Sequence, residues 1–120
     1  MANIFPLRKG LKVGDTIHKE CEIREAAGAD IIDGSTEAEE LRLTPGGWTL
    51  VSSPALAEMH ILRRQIVRIG DHEGPLTLAE LKLLSAFDLN LIRGAVEALD
   101  VAALQEVGER GRTGGPAGDD

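Results

Sequence analysis

Three histidines and one cysteine are the residues of this 120-residue chain with the most chemistry to offer. His18 and Cys21 stand at an H-x-x-C spacing, and His60 and His72 could complete a metal-ligand set. On a strand, however, positions three apart face opposite sides, so His18 and Cys21 would diverge, and a second cysteine is missing. An exposed histidine and a buried thiol account for the pair better than a metal site does. Cysteine catalysis fares no better. Cys21 falls at an apolar strand position with no helix N-terminus or evident base beside it, whereas reactive thiols need an activating, partly open setting. Carboxylates crowd Asp30, Asp33, Glu37, Glu39 and Glu40. Nothing in the pattern buries either member of an acid–base pair, and in an acidic chain a solvated cluster is the ordinary outcome. The run Thr44-Pro45-Gly46-Gly47-Trp48 lacks the lysine and the following helix of a phosphate loop, and reads as a hairpin turn. No catalytic residue, metal ligand or cofactor is assigned, and a non-enzyme is expected.

Arg63, Arg64 and Arg68 stand out against the acidic background. Placed on one helix, Arg64 and Arg68 are four apart and share a face, with His60 one turn earlier. That face suits an acidic partner, or it simply offsets the molecule's own carboxylates, which is the commoner role of surface charge.

A net charge of −7 argues against a general nucleic-acid binder, which needs a basic face to neutralise phosphates. Only 2% of the residues are aromatic, with no tyrosine, so the core must be aliphatic and there is no platform for stacking single strands. A lone cysteine fits a reducing compartment. Ile4-Phe5-Pro6-Leu7 is too short for the apolar part of a signal peptide, and no run approaches a membrane span. The expected location is the cytoplasm.

The elements that must position these residues follow in order. Residues 1–16 read as a short extended lead with turn points at Gly10 and Gly14. Ile17 to Arg24 alternates as a strand, with Ile17, Cys21 and Ile23 on one face and Lys19 the exception. Ala26 to Glu40 favours a helix broken at Gly34. Leu41 to Val51 reads as a hairpin around Pro45-Gly46-Gly47. Ser53 or Ser52 caps a helix with Pro54 at its first position, and Leu56, Met59, Leu62, Ile66 and Ile69 carry that helix, 55–69, to Gly70. Strands first and helices afterwards predict an α+β domain over 1–108: a small antiparallel sheet from the N-terminal half packed with two to three C-terminal helices. Residues 109–120, rich in glycine and charge, are expected to be a disordered tail.

Pro75 to Asp100 is the densest apolar stretch. Thr77 with Glu80 forms a capping box, and Ser85 with Asp88 a looser relative of one. In the expected helix 86–107, Leu89, Ile92, Val96, Leu99 and Ala103 recur at spacings of three and four. Leu91, Ala95, Ala98 and Ala102 form a second stripe beside them. The combined apolar face is wider than one small core usually needs, so it serves either as core or as a partner surface. Gly94 in mid-helix marks either a close helix contact or a bend, since it costs about 1 kcal/mol relative to alanine.

Ile23-Arg24-Glu25, Asp30, Glu39, Leu62, Gln65-Ile66, Arg68-Ile69-Gly70, Leu84-Ser85, Asp88-Leu89 and Ile92 form a spaced pattern. In these residues, over roughly 5–112, the chain resembles the tail assembly chaperones of Mu-like phages and prophages. Ala29 sits where that family's glycine is expected. The resemblance implies a non-catalytic assembly factor that keeps the apolar helices of the tape measure protein in solution. Such a factor hands its client over as tail tube subunits polymerise, and in many phages a longer form arises by frameshifting. The tape measure protein is then the expected partner, with the tail tube protein and a second copy of the chain as further ones. Leu89, Ile92, Val96 and Leu99 are the expected contacts, with Arg64 and Arg68 at the rim. The alternative is a structural tail or baseplate component that stays in the particle.

Overall fold

Gly14 and Asp15 turn the chain sharply enough that the expected lead is a full strand. The computed structural model describes residues 3–114, and in it β1 (Ile4–Val13) pairs antiparallel with β2 (Thr16–Ile23). The register shifts between Pro6 and Leu11, where four residues of β1 face a single residue of β2. Gly10 makes this bulge possible. It has φ +81°, and a side chain there would collide with the His18 carbonyl. Cys21 and Ile23 point into the core as their alternation requires, but Ile17, close to the hairpin turn, is exposed.

α1 (Gly28–Glu37) is continuous, so the expected break at Gly34 does not occur. Gly34 is buried against α2 (Pro54–Gln65). A Cβ there would stand 2.7 Å from Ile61 Cγ1 and 3.0 Å from Ile61 N, so the glycine is a point of close approach between helices. Asp30 starts α1 by accepting the Ala27 N–H (2.7 Å) and takes both arms of the Arg24 guanidinium at 2.7 and 2.9 Å. Between α1 and α2 runs the expected hairpin, β3 (Glu39–Thr44) and β4 (Gly47–Ser52). It forms a two-stranded sheet of its own, and no residue of it is buried.

Ser53 Oγ caps α2 by accepting the Leu56 N–H (3.2 Å). The helix stops at Gln65, short of the expected Ile69, and Ile66–Ile69 is strand β5. The three-residue spacing of Ile66 and Ile69 suits a helix, but Ile66-Val67-Arg68-Ile69 is largely β-branched and has an open edge of β2 to join. Cys21 pairs with Ile69 and Glu22 with Arg68 across that edge. With β6 (His72–Glu73) the main sheet runs β1-β2-β5-β6, all antiparallel.

Two short-range signals in the Pro75–Asp100 stretch set the remaining helices. Thr77 and Glu80 form the capping box of α3 (Leu78–Leu83), at 3.1 and 2.8 Å. Ser85 Oγ accepts the Asp88 N–H at 3.1 Å and opens α4 (Ala86–Gly114). α4 runs past residue 108, where the ordered part was expected to stop. Its last turns hold Gln105, Glu106 and Arg110, good helix formers that outweigh Gly108. Residues 115–120 of the expected tail lie outside the described residues.

Helices α2, α3 and α4 cover one face of the four-stranded sheet. The core joins Leu7, Leu11, Cys21, Ile23, Ile66 and Ile69 of the strands to Leu62, Leu81, Ile92 and Val96 of the helices. The radius of gyration is 17.9 Å, against about 14 Å for a compact chain of this length. Two elements stretch the molecule: α4, about 44 Å long at 1.5 Å per residue, and the β3–β4 hairpin.

Candidate functional site

Asp88 positions α4. Its side chain is fully buried, and its carboxylate accepts the backbone N–H groups of Arg8 (2.6 Å), Lys9 (2.9 Å) and Gly10 (2.9 Å) in the β1 bulge. Half of the expected capping box is therefore present. Ser85 caps the helix, but Asp88 reaches across to the sheet and not back to the cap. Burial works against ionisation, yet the hydrogen bonds from Arg8, Gly10, Lys9 and Ser85 outweigh it and hold the carboxyl below its ordinary value. Arg8 also lies over the Phe87 ring at 5.0 Å.

From this anchor α4 runs alongside α2 in the same direction. Arg93 on α4 reaches Glu58 on α2 at 3.0 Å, and further on Gln65 Nε2 lies 3.5 Å from both carboxylate oxygens of Asp100. Between the two helices lies an open groove of about 890 Å³. Ile61, Val96, Val101 and Leu104 supply its apolar wall, and Glu58, Arg93, Glu97 and Asp100 its polar edge. Val101 and Leu104 are 45% and 73% exposed. Gly94 lines the groove and has nothing within 4 Å of where a Cβ would be. It makes no close helix contact; it leaves the floor of the groove open.

The six expected contact residues fall in different places. Ile92 is fully buried and Val96 nearly so, while Leu89 and Leu99 pack against the core half-buried. Of the four, Val96 alone also borders the groove. Arg64 lies in the last turn of α2 and donates to Glu37 at 2.9 Å, whereas Arg68 lies on β5 and pairs with Glu20 (3.0 Å) and Glu22 (2.9 Å). The shared helical face expected of these two arginines does not form, because the helix ends between them. Val101 and Leu104, which the sequence reading did not single out, are exposed apolar residues of the groove. They lie outside both apolar stripes, on the side of α4 that carries Asn90, Arg93 and Glu97, so no periodic signal marks them.

Glu37 gathers the basic cluster. One oxygen accepts from Arg63 at 2.6 Å and from Arg64 at 2.9 Å, which holds the Glu37 carboxyl at about 2. These arginines tie α1 to α2. Cys21 is buried, and desolvation pushes its thiol up to about 12, so it stays protonated. His18 Nδ1 accepts the Asp71 N–H at 3.3 Å, and His72 bonds Glu80 at 2.7 Å. Among the described residues no three metal-binding side chains come together. No described helix is long and apolar enough to cross a membrane.

The described residues thus offer a buried carboxylate used for anchorage, a protonated thiol and an open apolar groove. Comparison with known proteins shows the family. The family described as "Tail assembly protein gp41" matches residues 7–112, and the chain belongs to that family. It is 36% identical over 107 residues to the "Mu-like prophage FluMu protein gp41" of Haemophilus influenzae, covering 88% of this chain and 84% of that protein. It is 35% identical over 116 residues to the "Probable tail assembly protein gp41" of Escherichia phage Mu, covering 92% and 81%. A longer protein of the same phage, "Probable tail assembly protein FS-gp41", is 35% identical over 105 residues, and there the match spans 56% of its length. No solved structure matches.

Proposed function

We propose that this tail assembly protein is a chaperone for the tape measure protein, holding a client helix in the groove between α2 and α4. The observation that carries the reading is the pair Val101 and Leu104, exposed on the lip of a preformed apolar groove. An amphipathic helix recognises such a groove through apolar anchors spaced three and four apart. Glu97, on the groove edge, has no hydrogen-bond or ion-pair partner among the described residues and favours a client helix with basic flanks. The net charge of −7 keeps a chaperone–client complex dispersed while the client's apolar surface is covered. The tail tube protein is the second partner, present when the client is handed over.

Co-expression with the tape measure protein of the same phage tests this. The wild type should raise the soluble fraction of the client, and Leu104→Glu, a change at an exposed position, should abolish that gain while leaving the chaperone folded. A client equally insoluble with and without the chaperone would end the proposal.

A further inference from the structure

The β3–β4 hairpin exposes a second apolar surface, separate from the groove. Leu41 pairs with Leu50, and Leu43 with Trp48, directly across the ladder. Residues paired across a ladder, and residues two apart along a strand, share one face, so the four side chains form a continuous patch. They are 59–68% exposed. Among the described residues nothing packs behind them, although a two-stranded hairpin is at best marginally stable alone in water.

We infer that this face pairs with the same face of a second copy of the chain. The first argument is charge. Two molecules of net charge −7 repel each other, but Leu41–Val51 carries a single charged side chain, the basic Arg42. Arg42 and its partner Glu40, 3.5 Å away, lie on the opposite face. Glu39, two residues before Leu41, shares the apolar face at its base, so that face carries one carboxylate per copy beside four apolar side chains. The groove, edged by Glu58, Glu97 and Asp100, carries three and suits a second acidic copy less well. The second argument is area. The four side chains offer roughly 500 Å² of apolar surface per copy, near the upper limit a monomer leaves open. Face-to-face pairing buries about 1,000 Å² in all, the size at which a specific interface becomes tenable. The third is symmetry: a two-fold contact needs only one self-complementary patch. The product is a small sandwich of two hairpins with each Trp48 at its centre.

Trp48 is the chain's one tryptophan and therefore reports on the contact. Sedimentation equilibrium should give twice the 12.8 kDa chain mass at high concentration, with Trp48 emission shifting to the red on dilution. The Leu43→Glu/Trp48→Glu double variant should weaken association by roughly tenfold or more. Because both positions are exposed, its circular dichroism should match the wild type. Leu104→Glu in the groove should leave the dimer intact. Three outcomes overturn the inference: a wild type that stays monomeric with solvent-exposed Trp48 emission at every concentration, a dimer that survives the hairpin change, or a hairpin variant that loses the tape measure protein without changing mass. The first two do not bear on whether the groove holds a client, whereas the third would place the client on the hairpin.

Discussion

At the start of α4 a fully buried carboxylate, Asp88, gathers three backbone N–H groups of β1. Where α1 and α2 meet the hairpin, four of its apolar side chains stand in solvent with none of the described residues behind them. Both regions are apolar segments in sequence, and each has its expected turn chemistry. They differ in whether a polar anchor commits the apolar face to the chain's own core. The Asp88 contacts fix the position of α4, so Leu89, Ile92 and Val96 meet the sheet. The hairpin is joined to the rest through its two ends, and its apolar face stays open. Within α4 the same contrast recurs around one helix: the face with Ile92 and Val96 is core, and the face with Arg93, Gly94 and Glu97 borders the groove.

Removing the anchor should have the largest effect. Asp88→Asn keeps the size of the side chain but sets an amide against three N–H donors that were paired with a charge. The cost should be about 2–4 kcal/mol, since unmatched buried donors are expensive and bonds to a charged group are among the stronger ones. Thermal unfolding should show a midpoint lower by roughly 10 °C or more. The exposed hairpin variant Leu43→Glu/Trp48→Glu, compared as a monomer, should stay within about 0.5 kcal/mol of the wild type. Equal losses from the two changes would dissolve the contrast between them.

Acid should act on the anchored side as well. Asp30, Glu37, Glu80 and Asp88 all have carboxyls held below their ordinary values, Glu37 at about 2 against 4.5. A carboxyl whose pKa is lower in the folded state binds its proton more readily in the unfolded chain. Its stabilisation is therefore complete above the ordinary carboxylate range and is lost as pH falls through the folded value. From these groups, unfolding midpoints should be flat at neutral pH and fall steadily between about pH 4.5 and 2. Asp88→Asn should show a shallower fall than the wild type, which urea titrations across that range can measure.

Much of this was legible in the residues, and the gaps have physical causes. The cap at Ser53, the capping box at Thr77 and Glu80 and the turn at Pro45-Gly46-Gly47 are local, and each formed as read. So did the α+β class, which follows from the order of the periodic segments. β5 was misread because Ile66 and Ile69 keep a helical spacing of three; a register shift between Glu22 and Ile23, where β5 joins the open edge of β2, lets both be buried on a strand. Gly34 looked like a helix breaker because a glycine's partner across a helix contact is remote in sequence. The resemblance pattern proved to be largely structural. Arg24 and Asp30 form a two-armed ion pair, Gln65, Ile66, Ile69 and Ile92 are buried, and Asp88 is the anchor. That is why choosing contact residues near this pattern led toward the core. Val101 and Leu104, on the exposed lip, lie outside it.

The smallest expected effect gives the finest test of the contrast, because it runs opposite to the others. Gly94 sits in mid-helix on the floor of the groove, and open space surrounds the position of its missing Cβ. Gly94→Ala removes the backbone freedom that glycine retains in the unfolded chain and meets no clash. Stability should rise by about 0.5–1 kcal/mol. The added methyl group stands where a client helix would lie closest to the α4 backbone. Client retention should therefore fall as stability rises, and Gly94→Leu, which fills more of the floor, should weaken retention further. A core residue cannot show this pairing, since damage there lowers both quantities together. Melting curves and co-purification of the tape measure protein, measured on the same preparations, separate the cases. If Gly94→Ala stabilises the chain and retains its client in full, the floor beneath Gly94 is not a contact, and a client bound in the groove must rest on Val101 and Leu104 at its lip.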